Sequence, residues 1–155
     1  GRIIELPGSI RVERSFDKLI LREVRDEPHD YEYALPVPGH VQIPEIGTLF
    51  EARLADLDTS KPKQGRVFVD SESLGSYVKI RNWRDGDCYD PVGLPSAKLK
   101  KLFQKERIPR WRRRQLPVVV ASGTIVWVAS LPVSRGFVPS RRSRKIVELS
   151  LTPAT

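Results

Sequence analysis

Four arginines crowd one tryptophan in Arg110-Trp111-Arg112-Arg113-Arg114, and Lys98, Lys100, Lys101 and Lys105 precede them closely in the chain. A guanidinium is a planar fork of donors that meets phosphate oxygens two at a time, and an ammonium is a compact point charge suited to the same partner. Like charges repel, and solubility does not need them adjacent, so the grouping points to an anion. Residues 98–114 hold nine basic residues and one acid, Glu106, and residues 135–145 hold five basic residues and no acid. One reading is a solvated basic face with no partner. Two separate clusters in one half of a chain favour a nucleic-acid or phosphate partner instead.

Other reactive side chains give weaker signals. Arg81 and Arg84 extend the basic set, although Arg81, within a strand, could equally be the ion-pair partner of Asp85 or Asp87. Those acids suit turn caps, since no nucleotide or metal-binding pattern surrounds them. His29 and His40 lie in Pro-rich loops and read as surface residues. Cys88 is the single cysteine; no motif base accompanies it, and one thiol allows neither an internal disulfide nor a cysteine-based zinc site. No catalytic residue, metal ligand or cofactor is assigned within this chain. Trp127, mid-strand in "IVWVA", is a core residue, Trp111 suits core or an arginine-stacking platform more than a base-stacking surface, and Trp83 is open between core and base-stacking surface.

The chain has 155 residues, with 39% hydrophobic and 30% charged, enough for one good core or two small ones. No apolar run reaches the roughly 18 residues of a membrane span, and Arg2, Glu5 and Arg11 interrupt any leader-like apolar stretch. A reducing cytoplasmic setting is expected. There is no methionine, so a piece of a longer protein is expected. Residues 1–70 carry 10 Lys/Arg against 13 Asp/Glu, a net of −3, and residues 71–155 carry 17 against 6, a net of +11. Such asymmetry suggests two jobs.

The cations need elements to hold them. Alternation at Ile10/Val12 and Leu19/Leu21 around Ser15–Lys18 predicts a hairpin. Pro28 breaks the chain. "YEYALPVPGHVQIPEIG" reads as short edge strands with turns. Phe50, Ala52 and Leu54 mark one face of a strand, residues 58–65 a loop, and "RVFVD" another strand. "SYVKIRNW" turns Val78 and Ile80 inward, and residues 84–93 form a turn-rich loop. The main helix is expected near 96–107, with Ser96 as N-cap, Leu99, Leu102, Phe103 and the stem of Glu106 on the apolar face, and Pro109 as the stop. "WRRRQLP" adds a further turn. "VVVASGTIVWVA" is a hairpin about Ser122-Gly123, and Val147, Leu149 and Leu151 share one face of a closing strand. The fold class is α+β: a mostly-β segment over 1–70, then a compact mixed-sheet domain over 75–152 with one main helix.

The ordered set over residues 78–133 resembles the C-terminal domain of bacterial tRNA(Ile)-lysidine synthetases. Ile80-Arg81, Arg84, Gly86-Asp87, Pro91, Gly93, Lys100-Lys101-Leu102 or the preceding Lys98-Leu99, Phe103, Ile108-Pro109-Arg110, Arg113 or Arg114, Leu116-Pro117 and Ile125-Val126-Trp127-Val128 stand in the order of that family's pattern. The upstream "LPVPGHVQIPEIG" is similar to the stretch leading into the domain. Cys88 departs from a usual arginine, and "LPSAKLKK" lacks the usual glycine before its lysine pair.

The resemblance implies a domain like one in the β subunit of phenylalanyl-tRNA synthetase, in a ligase that uses ATP with magnesium to adenylate a wobble cytidine of isoleucine tRNA and then attaches lysine. That chemistry belongs to an N-terminal domain with a Ser-Gly-Gly-x-Asp-Ser loop. "DSES" at 70–73 lacks the glycines that let backbone amides cradle a phosphate, so this chain alone is expected to be inactive. Its implied task is to hold tRNA, at the acceptor stem, through Arg81, Arg84, Lys98, Lys100, Lys101, Lys105, Arg110, Arg112, Arg113 and Arg114. A homodimer is compatible with this, and no membrane partner is expected. The alternatives are a freestanding, non-catalytic nucleic-acid-binding module and a structural or dimerisation domain.

Overall fold

The structure, a computed structural model, describes residues 2–6, 10–15, 18–23, 29–56 and 65–153. The expected break at Pro28 and the loop over 58–64 lie outside the described residues. Strands β1 (Arg2–Leu6), β2 (Ile10–Ser15) and β3 (Lys18–Glu23) form an antiparallel sheet, and Ser15 pairs with Lys18. The register fits the expected hairpin.

Two four-stranded sheets build the rest. The first has the order β12-β11-β8-β4, from Thr124–Val128, Val118–Ala121, Tyr77–Arg81 and Glu32–Pro36. The second has the order β5-β6-β13-β7, from Gly39–Ile43, Thr48–Ala55, Ile146–Pro153 and Arg66–Asp70. Every pairing in them is antiparallel. β4, which ends in Pro36, and β5 are edge strands, where a residue without an N–H interrupts no ladder. Gly39 begins β5 because an added Cβ there would stand 2.7 Å from the Pro36 carbonyl oxygen. The division expected between 70 and 75 is not where the sheets divide. β4 pairs with β8, and β6 and β7 flank β13, so both sheets draw strands from either side of that position. Strand pairing is decided by shared apolar faces, which sequence position alone does not reveal.

The two sheets face each other across one core. Leu35, Val78, Ile80, Val119 and Trp127 of the first meet Ile43, Phe50, Ala52, Val69, Val147 and Leu149 of the second. The period-two alternation of β8 delivers this: Val78 and Ile80 are fully buried, while Tyr77 and Lys79 on the opposite face are exposed. Leu54 shares the expected face with Phe50 and Ala52, yet it is exposed, and it lies past the end of β5, whose pairing with β6 stops at Ala52. Trp127 is core as expected. It packs edge-on against Phe50 and donates its indole N–H to the Leu131 carbonyl at 3.0 Å. The β11–β12 hairpin turns at Ser122-Gly123, both with positive φ (48° and 80°), the geometry that matches the strands' right-handed twist.

The outer face of the first sheet is partly covered by helix α2, Leu99–Lys105. Leu99, Leu102 and Phe103 pack with Tyr89, Ile108, Leu116, Val118, Ile125 and Val128 in a second core. The expected apolar stripe is present, but the helix is shorter than 96–107 at both ends. Residues 97–98 form a strand, β10, paired with β9 (Cys88–Tyr89). Ser96 caps nothing; its hydroxyl meets the Asp90 carboxylate. The first orphan helix N–H, of Leu99, goes to the Asp87 carbonyl at 2.8 Å. At the far end Pro109 is not the stop. Arg107 adopts a left-handed φ of 56°, its N–H reaches the Gln104 carbonyl, and the Ile108 N–H reaches the Phe103 carbonyl. This is the six-to-one, five-to-two closure of a Schellman motif, with buried Ile108 as its apolar contact. Glu106 is exposed and off the apolar face. The short helices α1 (Ser71–Leu74) and α3 (Arg110–Arg113) complete the α+β fold.

Candidate nucleic-acid interface

α2 and α3 are joined by the Schellman closure and anchored by Phe103, Ile108 and Leu116. The apolar side of α2 faces the sheet, so its lysines face out. Lys98, Lys100, Lys101, Lys105, Arg110 and Arg112 are all exposed, and Arg107, left off the candidate set, joins them. Among the described residues no carboxylate pairs with the four lysines or with Arg107. Its membership was signalled only by its place between the lysine and arginine groups. Arg112 reaches the Ser130 hydroxyl at 3.3 Å and stands with Gln115 on the lining of a cavity of about 690 Å³ between the sheets' ends.

Arg113 is not part of this surface. It is 9% exposed. Its Nε donates to the Ile108 carbonyl at 3.0 Å, and its guanidinium lies 5.8 Å from the centre of the Phe103 ring. One turn of helix must point one of four neighbouring cations inward, and here that cation ties α3 to the end of α2. Trp111 is half-buried.

Arg81 is likewise internal. Its guanidinium forks onto Asp87 at 2.9 Å through both nitrogens and also meets the Asn82 carbonyl. The side chains are only 11% and 13% exposed. Burial alone would raise the Asp87 carboxyl. The Arg81 fork and the Arg84 backbone N–H at 2.8 Å outweigh it and hold the group below the usual carboxylate range. Because the Asp87 carbonyl also accepts the first N–H of α2, this pair fixes where the helix starts.

Arg84 and Arg114 are at the surface but engaged. Arg84 meets Glu32 at 3.3 Å, and Arg114 meets Asp30. Asp30 and Glu32 both come from the entry to β4, so the acidic half supplies counter-charges to the basic half. Their i, i+2 spacing was visible in the sequence, but their partners, some fifty or more positions away, were not. Arg135, at the start of the second basic cluster, meets Asp90, which also accepts from Ser96. The Ser96 hydroxyl and Arg135 hold the Asp90 carboxyl low.

The remaining candidates are ordinary. His29 and His40 are exposed. Cys88 is exposed, with its thiol toward the Gly86 carbonyl. Trp83 packs edge-on against Phe103. Asp70 caps α1 by accepting from the Glu72 N–H and the Ser73 hydroxyl, so residues 70–73 form a capped helical turn. Among the described residues, no helix is long and apolar enough to cross a membrane, and no three His, Cys, Asp or Glu side chains are placed to hold a metal ion.

Comparison with known proteins matches residues 78–149 to the family described as TilS substrate C-terminal domain. A tRNA(Ile)-lysidine synthase of Solibacter usitatus is 34% identical over 152 residues, covering 94% of this chain and 34% of the relative. One from Caldanaerobacter subterraneus subsp. tengcongensis is 28% identical, covering 96% and 33%. The chain thus spans about a third of the length of these relatives. A crystal structure of a TilS C-terminal domain superposes with a TM-score of 0.70 at 26% identity, over 82% of this chain and 99% of that one.

Proposed function

We propose that this chain, whose residues 78–149 match the TilS substrate C-terminal domain and which is similar along its length to tRNA(Ile)-lysidine synthases, is the tRNA-holding part of an ATP-dependent, cytoplasmic ligase that converts a wobble cytidine of isoleucine tRNA to lysidine. The adenylating chemistry, with ATP and magnesium, is assigned to a part of the parent enzyme outside this chain, since "DSES" at 70–73 lacks the glycines of a phosphate-cradling loop. What the chain contributes is position. A duplex end of A-form RNA offers phosphates and 2′-hydroxyls rather than readable major-groove edges. Lys98, Lys100, Lys101, Lys105, Arg107 and Arg112 meet phosphates directly, and Arg110, exposed beside them, adds to the same positive surface. Arg84 and Arg114 do so only in competition with Glu32 and Asp30. Arg81 and Arg113 act from within, by holding α2 and α3 in place.

The observation that carries this reading is the one-sidedness of the α2–α3 unit: every apolar side chain of α2 turns into the sheet, and exposed cations remain outside. A structural or dimerisation domain would not need that arrangement. The test is backbone-cleavage footprinting of isoleucine tRNA with the chain bound. Protection along the acceptor stem, lost when Lys100, Lys101 and Lys105 become Gln, is expected. Protection confined to the anticodon loop, or none, contradicts it.

A further inference from the structure

The outer face of the first sheet is only half covered. The α2 cluster takes in Val118, Ile125 and Val128 and reaches Val120 in part. Beyond it the sheet opens into a groove of about 510 Å³ lined by Tyr77, Lys79, Arg81, Arg84, Val120 and Glu32 among others. Tyr77 is 55% exposed at this groove, and Lys79 stands two residues along on the same face. In β8 the inward positions are fully apolar, so the outward set of aromatic, lysine and arginine is not a continuation of the core.

We propose that this groove takes one or two unpaired nucleotides of RNA, with a base on the Tyr77 ring and the flanking phosphates at Lys79 and Arg84. The proposal rests on the RNA-holding reading above and adds a second, chemically different contact to it. Bases inside a duplex are already stacked on one another and have no open face for a tyrosine, whereas unpaired bases stack on aromatic side chains whatever their identity. An exposed aromatic beside cations on an open sheet face is the combination that such a segment needs. The charge agrees: Lys79, Arg81 and Arg84 face the groove against the single acid Glu32. Arg81 is held by Asp87, and Arg84 is shared with Glu32, so Lys79 and the Glu32-screened Arg84 are the cations a phosphate would meet. The Arg84 end adjoins Trp83, which packs on Phe103 of α2. The groove therefore begins beside the helix that bears the exposed lysines, and a single-stranded tail leaving a held duplex lies within its reach.

The experiment compares fluorescence anisotropy of a blunt RNA hairpin and the same hairpin with a short single-stranded tail, each bound to the chain. The tail is expected to tighten binding on the order of tenfold through one stacked base. Tyr77→Ala should abolish that gain and leave blunt-hairpin affinity as it was. Tyr77→Phe, which keeps the ring, should retain the gain, and Glu32→Gln should enlarge it. Equal affinities for both probes with the unmodified chain would overturn the proposal, as would a Tyr77→Ala effect shared equally by both. A Tyr77→Ala change that alters only the chain's sedimentation would also overturn it, by making the groove a protein contact. Absence of any salt-dependent binding to the blunt hairpin would instead remove the underlying RNA-holding reading.

Discussion

Arg113→Ala should behave as a folding mutation, unlike its neighbour. The side chain is 9% exposed, donates Nε to the Ile108 carbonyl at 3.0 Å and lies over the Phe103 ring. A hydrogen bond from a charged donor contributes about 1.5–3 kcal/mol net. A partly desolvated cation–π contact adds about 0.5–2 kcal/mol. The two share one side chain and are not additive, so the expected loss is roughly 2–4 kcal/mol. For a chain of this size that lowers the melting temperature by roughly 5–15 °C. Arg112→Ala removes an exposed cation and should change stability by no more than about 0.5 kcal/mol, while weakening tRNA binding. Arg113→Lys keeps the charge but not the fork's geometry and should fall between. The assay is a thermal melt of each variant beside filter binding of isoleucine tRNA at one salt concentration. If Arg113→Ala melts with the parent and loses affinity as Arg112→Ala does, Arg113 faces the ligand and the packing described above is wrong.

Three further outcomes are expected. Arg107→Gly should stabilise the chain by about 0.5–1 kcal/mol, because a left-handed residue with a Cβ is strained where glycine is not; a lower denaturation midpoint would contradict the Schellman assignment. Asp87 has a carboxyl held below its ordinary value, so it contributes stability at neutral pH that is lost as pH falls below about 4. Asp87→Asn should cost about 3 kcal/mol at pH 7 by leaving Arg81 unpaired, and the gap from the parent should narrow in acid; a gap constant from pH 7 to pH 3 would refute the pair. Finally, the chain incubated with ATP, lysine and isoleucine tRNA should form no lysidine above background, and nucleoside analysis of the product checks this.

Much of the fold was legible because alternation and turn chemistry act locally. The Ser122-Gly123 hairpin, the inward Val78 and Ile80, the Leu99/Leu102/Phe103 stripe and the core position of Trp127 all follow from neighbours in sequence. What was not legible depends on distant partners. Residues 96–98 read as a helix start, but Ala97 and Lys98 find strand partners in Tyr89 and Cys88. Pro109 read as the stop, but an arginine in a glycine-like conformation ends the helix earlier. The candidate interface was legible as composition and not as geometry. Four arginines around one tryptophan share one appearance, and only the packed helix shows that Arg113 turns inward, that Arg114 meets Asp30, and that Arg112 stands exposed. Arg81 was open between an ion pair and an RNA contact, and the half-buried fork onto Asp87 decides for the pair.

The central claim is that exposed cations of α2 and α3 grip an RNA backbone. Its most direct test is the affinity of the chain for isoleucine tRNA across a salt series, measured in parallel for the variant in which Lys100, Lys101 and Lys105 are replaced by Gln. Log affinity should fall linearly with log salt, and the variant's slope should be shallower by about 0.9 for each phosphate contact removed, with its melting temperature unchanged. A variant that binds as tightly as the parent with the same slope would mean that the α2 lysines are only a solvated face.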